Sequence, residues 1–403
     1  MMRLSSKTMG VYRKLPSIPL MDKEAREYRR LLIRNLYPGF GMQTVHTPYS
    51  LCKEIIGSLV SYAGGVNGSV AVLFNVEFIE VLVNDFGVPA KNITLFTDMP
   101  YMRMLALGYG AKVVTVSRES LIGECKMKFD VVLGNPPFQS GIGEKDSIWH
   151  KFIEKSATIV KENGYISLVH PAGWRYSGSY SKAGKTLKDM QIMYLEMHGN
   201  KDGRKVFGAS TCYDWYVAKN TPNNCLTTIK DRDGLVSKVQ IRDIPVIPNS
   251  MMEKVISLFA KPGEQAVDLL FSYSAYEPRQ KWMSNTKNGH FVHPCVYSVN
   301  TKNELSIKWS CKDEEHFGIP KIIIGDGCNF GIFPDKSGDY GMTQWAFGII
   351  DDIENFDDII KALESKEFQK INVASTTKNT AGIGVVDRNI IKYFRKDFWK
   401  EFI

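Results

Sequence analysis

The sequence predicts an α/β fold: a Rossmann-like, mostly parallel, doubly wound sheet followed by a smaller mixed α+β region. Three observations predict it. Short apolar runs between residues 69 and 197 alternate with segments of helical pattern, as in βα units. The 403 residues are 44% hydrophobic and 23% charged, which is a globular composition long enough for about two or three domains. After about residue 220 the alternation fades, and Pro, Asn, Asp and aromatic residues increase.

Two amphipathic helices are predicted before the first strand. Residues 21–36 place Leu opposite charged residues and end at Pro38-Gly39, a helix stop. A second helical pattern follows Thr47-Pro48, with Thr47 predicted as its N-cap and Gly64-Gly65 as its end. We assign residues 1–45 to an N-terminal helical extension.

The apolar runs that follow are the predicted strands. Because helical segments separate them, we expect neighbouring strands to pair in parallel, with helices on both faces. Ligands bind such sheets outside the carboxyl ends of the strands, so the residues after each run are candidates for chemistry. The runs are SVAVLF (69–74), NITLF (92–96), AKVVTV (111–116), FDVVLG (129–134), YISLV (165–169) and IMYLEM (192–197).

Composition also narrows the class of protein. The sequence has no apolar run long enough to cross a bilayer and no signal-like N-terminus, so we expect a cytoplasmic protein without membrane association. The seven cysteines lack paired spacings, which predicts reduced thiols and no metal site. Fifty-one Lys and Arg against 43 Asp and Glu leave a formal charge of +8, which suits a polyanionic partner.

The segment FDVVLGNPPF carries the clearest chemical signal. Its strand run ends in Gly134 and delivers Asn135, Pro136, Pro137 and Phe138 at the carboxyl end. Proline fixes φ and restricts the residue before it, so the Asn side chain and the nearby carbonyls are held in one direction. Two fixed acceptors beside an aromatic ring suit an exocyclic amine, because binding its hydrogens favours a tetrahedral nitrogen that can attack a methyl group.

A strand ending in NPPF resembles the catalytic motif of the S-adenosylmethionine-dependent amino-methyltransferases. Other segments resemble, in the expected order, the adenine-specific (N6) DNA methyltransferases of restriction-modification systems. These segments are HTPYSLCKEII (46–56), LFTDM (95–99), RESLIG (118–123), GYISLVHPAGWR (164–175) and RKVFGASTCYDWYV (204–217).

The resemblance implies roles for particular residues. It makes Asn135 to Phe138 catalytic and places the flipped target base between Phe138 and Phe207. It implies S-adenosylmethionine as cofactor, with Asp98 on the ribose hydroxyls and Glu119 near the cofactor's adenine. The full set of implied cofactor-binding residues is Thr47, Pro48, Phe74, Asn75, Glu77, Asp98, Met99 and Glu119.

One segment departs from the family pattern. The loop after the first strand is normally of the type FxGxG, because glycines let the backbone approach the cofactor closely. Here residues 72–81 read VLFNVEFIEV, without glycine. Asn75 and Glu77 are the residues that could take over the contact to the methionine amine. The alternative is that cofactor binding is altered or lost.

We assign residues 46–245 to a methyltransferase domain and residues 246–403 to a target-recognition domain that binds DNA. Basic and aromatic residues interleave in the second, which suits phosphate contacts and base reading as well as it suits a solvated face over core tryptophans. They are Arg279, Lys281, Trp282, Trp309, Lys312, Lys336, Trp345, Lys378 and Arg388.

The predicted reaction is methyl transfer to the N6 amine of adenine in DNA, and the resemblance also allows a restriction endonuclease partner. Two alternatives remain open. The same motif serves enzymes that methylate RNA bases or a protein glutamine, since each presents a planar nitrogen. The altered loop could instead mark a catalytically inactive DNA-binding homologue.

Overall fold

The computed structural model describes residues 47–138, 147–176, 178, 180–326, 331–376 and 386–403. The chain divides into two compact units, residues 1–243 and residues 244–403. This division lies next to the domain boundary expected from the sequence. The predicted extension of residues 1–45, with its helix, lies outside the described residues.

Among the described residues of the first unit, nine strands form one sheet, in the order β3-β2-β1-β4-β5-β7-β6-β8-β9. Strands β1 to β5 pair in parallel, and β7 runs antiparallel between β5 and β6. The sequence-predicted runs all form strands, which confirms the Rossmann-like sheet. The strands are β1 (Val70–Leu73), β2 (Ile93–Thr97), β3 (Lys112–Thr115), β4 (Phe129–Gly134), β5 (Val160–Pro171), β6 (Met190–His198), β7 (Tyr213–Pro222), β8 (Thr227–Lys230) and β9 (Val236–Val239).

Helices connect these strands. Apolar residues of α1, among them Ile55 and Leu59, are fully buried in the core, where each such side chain contributes about 1.5–3 kcal/mol. The Tyr49 hydroxyl and the Lys53 ammonium both bind Asp85, after the end of α2, and so fix α1 against α2. The helices are α1 (Tyr49–Ala63), α2 (Glu77–Asn84), α3 (Pro100–Tyr109), α4 (Arg118–Glu124), α5 (Trp149–Ile159), α6 (Ser181–Asp189) and α7 (Asn200–Phe207).

The sequence prediction is confirmed at the C-terminal end of α1 and wrong at its N-terminal end. Gly64 ends the helix in the left-handed conformation, with φ of 71°, as predicted. The predicted N-cap is wrong: Pro48 holds that position, and no side chain caps the helix. The Thr47 hydroxyl is instead bonded to two asparagine side chains across the strand ends.

The second unit contains two four-stranded sheets in its described residues, ordered β10-β17-β14-β15 and β11-β13-β12-β16. The elements are α8 (Met252–Ser257), β10 (Asp268–Leu270), β11 (Met283–Ser284), β12 (His293–Val299), β13 (Leu305–Ser310), β14 (Lys321–Gly325), β15 (Ile332–Asp335), β16 (Gly341–Met342), β17 (Ala346–Ile350), α9 (Phe356–Glu364), α10 (Lys366–Ser375) and α11 (Arg388–Ile391).

Within the part of the chain that the structure describes, none of the helices has the length and apolar character needed to cross a bilayer.

Candidate active site

The candidate site lies where the strand order of the first sheet reverses. The chain builds β2 and β3 on one side of β1 and then places β4 on the other side. Leu73, the last residue of β1, pairs with Phe96 of β2 and with Gly134 of β4. The loops that follow these three strands therefore share one edge, and this edge is where doubly wound sheets bind ligands.

Gly134 has a steric role at this edge. A Cβ atom there would lie 2.6 Å from the carbonyl oxygen of Leu73, which is closer than real Cβ atoms approach backbone. Only glycine fits between the ends of β1 and β4 without moving one of them. The strand can therefore deliver Asn135 directly beside the loop that follows β1.

Thr47 joins these two loops through its hydroxyl group. The side-chain amide of Asn75 donates to Thr47 Oγ1 at 2.7 Å, and that of Asn135 donates to the same oxygen at 3.2 Å. All three residues are buried. A hydroxyl oxygen has two lone pairs, and here both accept from amides, so both Nδ2 atoms face Thr47.

The opposite side of each amide is unsatisfied. Asn75 Oδ1 and Asn135 Oδ1 are both buried, and neither has a hydrogen-bond partner in the described part of the chain. A buried acceptor left in this state costs about 1–3 kcal/mol. Two such acceptors at the ligand-binding edge of the sheet fit a ligand that brings N–H donors.

The remaining residues of the NPPF segment frame Asn135. Pro136 is buried, whereas Pro137 and Phe138 are half-buried. The Phe138 carbonyl accepts from the Ile148 backbone N–H at 3.1 Å and from the Ser147 hydroxyl at 3.4 Å. These bonds anchor the segment to the residues just before α5.

The glycine-less loop after β1 adopts a glycine-like conformation. Phe74 has φ of 52°, and the left-handed region costs a residue with a Cβ about 1–2 kcal/mol. Its N–H donates to the Phe96 carbonyl at 2.9 Å, and its ring meets Phe152 edge-on. The loop is short, because α2 begins at Glu77, whose carboxylate is buried in the first turn, where the helix dipole favours negative charge.

The end of β2 carries the acidic candidate. Asp98 is exposed directly after the strand, and Pro100 starts α3 two residues later. Met99 is buried, and its N–H donates to Thr97 Oγ1 at 3.0 Å, which fixes the turn. Glu119 lies in α4, and its side chain is outside the described residues.

A neutral histidine lies at the end of the neighbouring strand, β5. His170 is fully buried, stacks on Trp149 with ring centroids 5.2 Å apart, and has the Tyr216 hydroxyl 3.3 Å from Nε2. Burial lowers its pKa to about 4, so the ring is uncharged at neutral pH. These contacts are those of an ordinary buried, hydrogen-bonded histidine.

A buried ion pair ties the turn after β5 to β7. Arg175 Nε lies 2.8 Å from Asp214 Oδ2, and both side chains are fully buried. Trp174 Nε1 donates to the same carboxylate oxygen at 2.9 Å. This pair is not predicted from the sequence. The only signal for it is an aspartate inside the apolar run of β7.

Phe207, the second stacking candidate, is the last residue of α7. Its ring meets the Tyr213 ring edge-on, with centroids 4.9 Å apart. Tyr213 pairs with Pro171 at the end of β5, so Phe207 lies at the same edge of the sheet as Asn135. Among the described residues, no ring contact joins Phe207 to Phe138.

The basic and aromatic candidates of the second unit are partly engaged with each other. The Lys312 ammonium lies 4.5 Å from the Trp282 ring centroid. Trp345 is 48% exposed, and Arg388 stacks on Phe271. Lys378 lies outside the described residues.

The first unit therefore combines a Rossmann-like sheet with a candidate site at the ends of its strands. Residues 110–201 match the family model of the Eco57I restriction-modification methylase. This stretch contains the NPPF segment, and the resemblance expected from the sequence is therefore confirmed there. The chain matches none of the curated protein sequences compared with it.

Solved structures give distant likenesses. The chain is 15% identical to a type I restriction-modification methyltransferase subunit from Streptococcus thermophilus, covering 51% of either chain at a TM-score of 0.38. For the type IIG restriction endonuclease BpuSI the identity is 10%, the coverage 92% of this chain and 62% of that one, and the TM-score 0.44. The chain spans about half the length of the type I subunit. Scores this low carry no argument about function.

The two hydrogen bonds that Thr47 Oγ1 accepts from Asn75 and Asn135, here called the Thr47 bridge, predict a loss of stability when the hydroxyl is removed. Thr47→Val keeps the side-chain shape but leaves two buried amide donors without their acceptor, so we expect the free energy of unfolding to fall by about 1–3 kcal/mol. Thr47→Ser, which keeps the hydroxyl, is the control and should lose less than half as much. Denaturant titration of the full chain measures both. Equal losses for Val and Ser would show that the methyl group, and not the hydroxyl, matters.

Proposed function

We propose that this protein transfers a methyl group from S-adenosylmethionine to the exocyclic N6 amine of adenine in DNA. The observation that carries the proposal is Asn135, which is buried at the end of β4, held by Thr47 through its Nδ2, and without a partner for Oδ1 among the described residues. The match to a restriction-modification methylase family over the same segment supports DNA as the substrate.

In the proposed reaction the chain orients the amine. Asn135 Oδ1 accepts one amine hydrogen, and the Pro136 carbonyl, fixed by two consecutive prolines, accepts the other. This draws the nitrogen lone pair out of conjugation with the ring and directs it at the methyl group. Phe138 stacks on the base after it leaves the duplex, which offsets part of the few kcal/mol that flipping costs. The amine proton becomes acidic on methylation and leaves to water, so the buried neutral His170 is not required as a base.

The residues present fit the proposed cofactor. S-adenosylmethionine, when bound, supplies an electrophilic methyl group on a sulfonium. Asn75 Oδ1, a buried acceptor without a partner, suits the methionine ammonium, and Asp98, exposed after β2, suits the ribose hydroxyls. Thr47 and Pro48 lie directly before α1, and the Thr47 hydroxyl accepts from Asn75. Phe74 and Met99 line the two turns, and Glu77 begins the helix beyond them.

In this proposal the second unit reads the DNA sequence. Its exposed aromatic rings include Trp345 and Tyr273, and the Arg388 guanidinium lies 5.1 Å from the Tyr273 ring centroid. Such surfaces suit contact with bases.

Calorimetric titration with S-adenosylmethionine tests the cofactor half of the proposal. We expect the wild-type protein to bind and Asp98→Ala to bind about 10- to 100-fold more weakly, because the variant loses charge-assisted hydrogen bonds. Asp243→Ala, an exposed aspartate after β9 at the opposite edge of the sheet, is the matched control and should bind like wild type. Quantifying N6-methyladenine after incubation with unmethylated DNA tests the substrate half. Methyl incorporation that survives DNase treatment would instead indicate RNA or protein as the substrate.

The loop after β1 supports a second candidate function, a DNA-binding protein without methyl transfer. Residues 72–81 lack the glycines of the family pattern, and the loop before α2 is short. This version predicts that the folded protein binds DNA but shows no heat of binding with S-adenosylmethionine. A heat of binding with S-adenosylmethionine that is weaker in Asp98→Ala than in wild type would exclude this second function.

A further inference from the structure

Helix α7 presents a face that consists of cations. Lys201, Arg204 and Lys205 are all exposed. Their spacing of three and four residues puts them side by side on one face of a helix, with Cβ atoms about 5–6 Å apart. The face is continuous and basic along the whole length of this short helix.

The other face of α7 is fixed against the protein, so the cations cannot turn inward. A Cβ atom on Gly203 would lie 2.1 Å from the Thr211 carbonyl oxygen, so the helix backbone touches the following loop at that residue. Val206 and Phe207 pack against the core. Gly208 ends the helix in the left-handed conformation. The orientation of the basic face follows from these contacts.

The cations on this face are not neutralised. No described carboxylate lies within ion-pair distance of Lys201, Arg204 or Lys205. The nearest acid along the helix, Asp202, accepts the Gly199 backbone N–H at 3.0 Å and so serves the N-cap. Like charges three or four residues apart destabilise a helix, and a polyanion bound to the face would remove that cost.

The face lies at the same edge of the sheet as the candidate active site. Strand β6 leads into α7, and it runs antiparallel to β7, which runs antiparallel to β5. Its carboxyl end therefore lies on the side where β4 delivers Asn135. The charge distribution agrees: residues 1–243 carry 32 Lys and Arg against 22 Asp and Glu, whereas residues 244–403 carry 19 against 21. The positive surplus belongs to the unit that holds the site.

We infer that the basic face of α7 binds backbone phosphates of the duplex DNA whose adenine enters the site. The inference rests on the proposed function and makes it more specific, because it moves the main phosphate contacts from residues 246–403, where the sequence analysis put them, to the catalytic unit. Lysine and arginine contacts to phosphate position the duplex without reading its sequence. They also release counterions, so they make binding dependent on salt.

The test compares two triple variants in the full-length protein. The first is Lys201→Gln, Arg204→Gln and Lys205→Gln, in which glutamine keeps the helix propensity. The matched control is Lys91→Gln, Lys112→Gln and Lys126→Gln, three exposed lysines that lie just before β2, at the first residue of β3 and just before β4, at the opposite edge. Binding of a 30-base-pair duplex of mixed sequence is measured by fluorescence anisotropy between about 50 and 200 mM salt, a range over which phosphate contacts change affinity strongly.

We expect the α7 triple variant to reduce the slope of log K against log salt by about 2–3, since each phosphate contact contributes about 0.9. Its affinity at the low-salt end should fall by at least tenfold, and the control should keep the wild-type slope. A wild-type slope in the α7 variant overturns the inference, as does a stronger preference of the wild type for duplex RNA of the same sequence.

The two ideas fail separately. Wild-type protein that binds the duplex with an α7-dependent slope but produces no N6-methyladenine supports the α7 face and contradicts the proposed reaction. Protein that methylates DNA while the α7 variant binds like wild type supports the reaction and contradicts the face.

Discussion

Replacing Asn135 by Ala is expected to lower kcat for methyl transfer by about 10²–10³-fold, the range seen when one fixed hydrogen-bonding group is removed from a polar transition state. The amide oxygen is the acceptor that draws the amine lone pair out of conjugation, and no other buried side-chain acceptor of the segment can replace it. Binding of S-adenosylmethionine should stay within a few-fold of wild type, because this contact belongs to the substrate. The measurement is single-turnover incorporation of methyl groups into DNA.

The control for this prediction is Asn84→Ala, which removes an exposed asparagine at the end of α2 in the same unit. It should leave both kcat and cofactor binding unchanged. An Asn135→Ala variant that methylates DNA at the wild-type rate would sink the proposed role of the NPPF segment. If the variant loses cofactor binding and activity together, Asn135 acts on the cofactor and the assignment to the substrate amine is wrong.

The sheet could be predicted from sequence because its signals are local. Each of the parallel strands β1 to β4 is a short apolar run, and residues in the centre of the sheet, such as Val72 and Leu95, are buried whichever face they point to. Their order along the chain then limits the topology, since helices between the runs favour parallel neighbours. The NPPF segment could be recognised from the sequence for a similar reason, because its rigidity comes from two consecutive prolines.

The Thr47 bridge could not be predicted because it depends on tertiary contacts. A Thr-Pro pair before a helical pattern indicates an N-cap on local grounds. In the fold the same hydroxyl is within reach of Asn75 and Asn135, which lie 28 and 88 residues further along the chain. The two amide donors occupy the hydroxyl oxygen, so it does not accept a hydrogen bond from the N-terminus of α1.

The loop after β1 shows the limit of reading a missing motif. Absence of glycine indicates that the backbone avoids left-handed conformations, yet Phe74 has φ of 52°. The bond from its N–H to Phe96 and the ring contact with Phe152 supply the compensating contacts. The turn therefore keeps a left-handed residue without a glycine. For this reason the sequence was consistent with both an altered cofactor site and a lost one.

The second unit shows a different limit. Its strands are short and several are only partly buried, as in β13, so apolar periodicity is weak. The shift in composition indicated a separate region, but pairing between distant strands such as β10 and β17 leaves no local trace. Interleaved Lys and Trp suggested a nucleic-acid surface, whereas Lys312 and Trp282 contact each other.

The second large effect is expected from the ion pair between Arg175 and Asp214. Asp214→Ala leaves a fully buried guanidinium without its counter-ion and Trp174 Nε1 without its acceptor. Breaking a buried pair by removing one partner typically costs about 3–5 kcal/mol. Because the chain has two units, the loss is best measured locally, by amide exchange of peptides that cover the end of β5 and the start of β7.

Two comparisons separate this effect from a general loss of packing. Lys161→Met breaks the exposed pair between Lys161 and Asp130, 2.9 Å apart and in the same sheet, and should cost less than about 1 kcal/mol. The double variant Arg175→Met and Asp214→Ala removes both buried charges, so its loss should be smaller than the sum of the losses in the single variants Arg175→Met and Asp214→Ala. Additive losses would show that the two side chains act independently, and the turn that follows β5 would then owe its position beside the site to Trp174 and the surrounding rings.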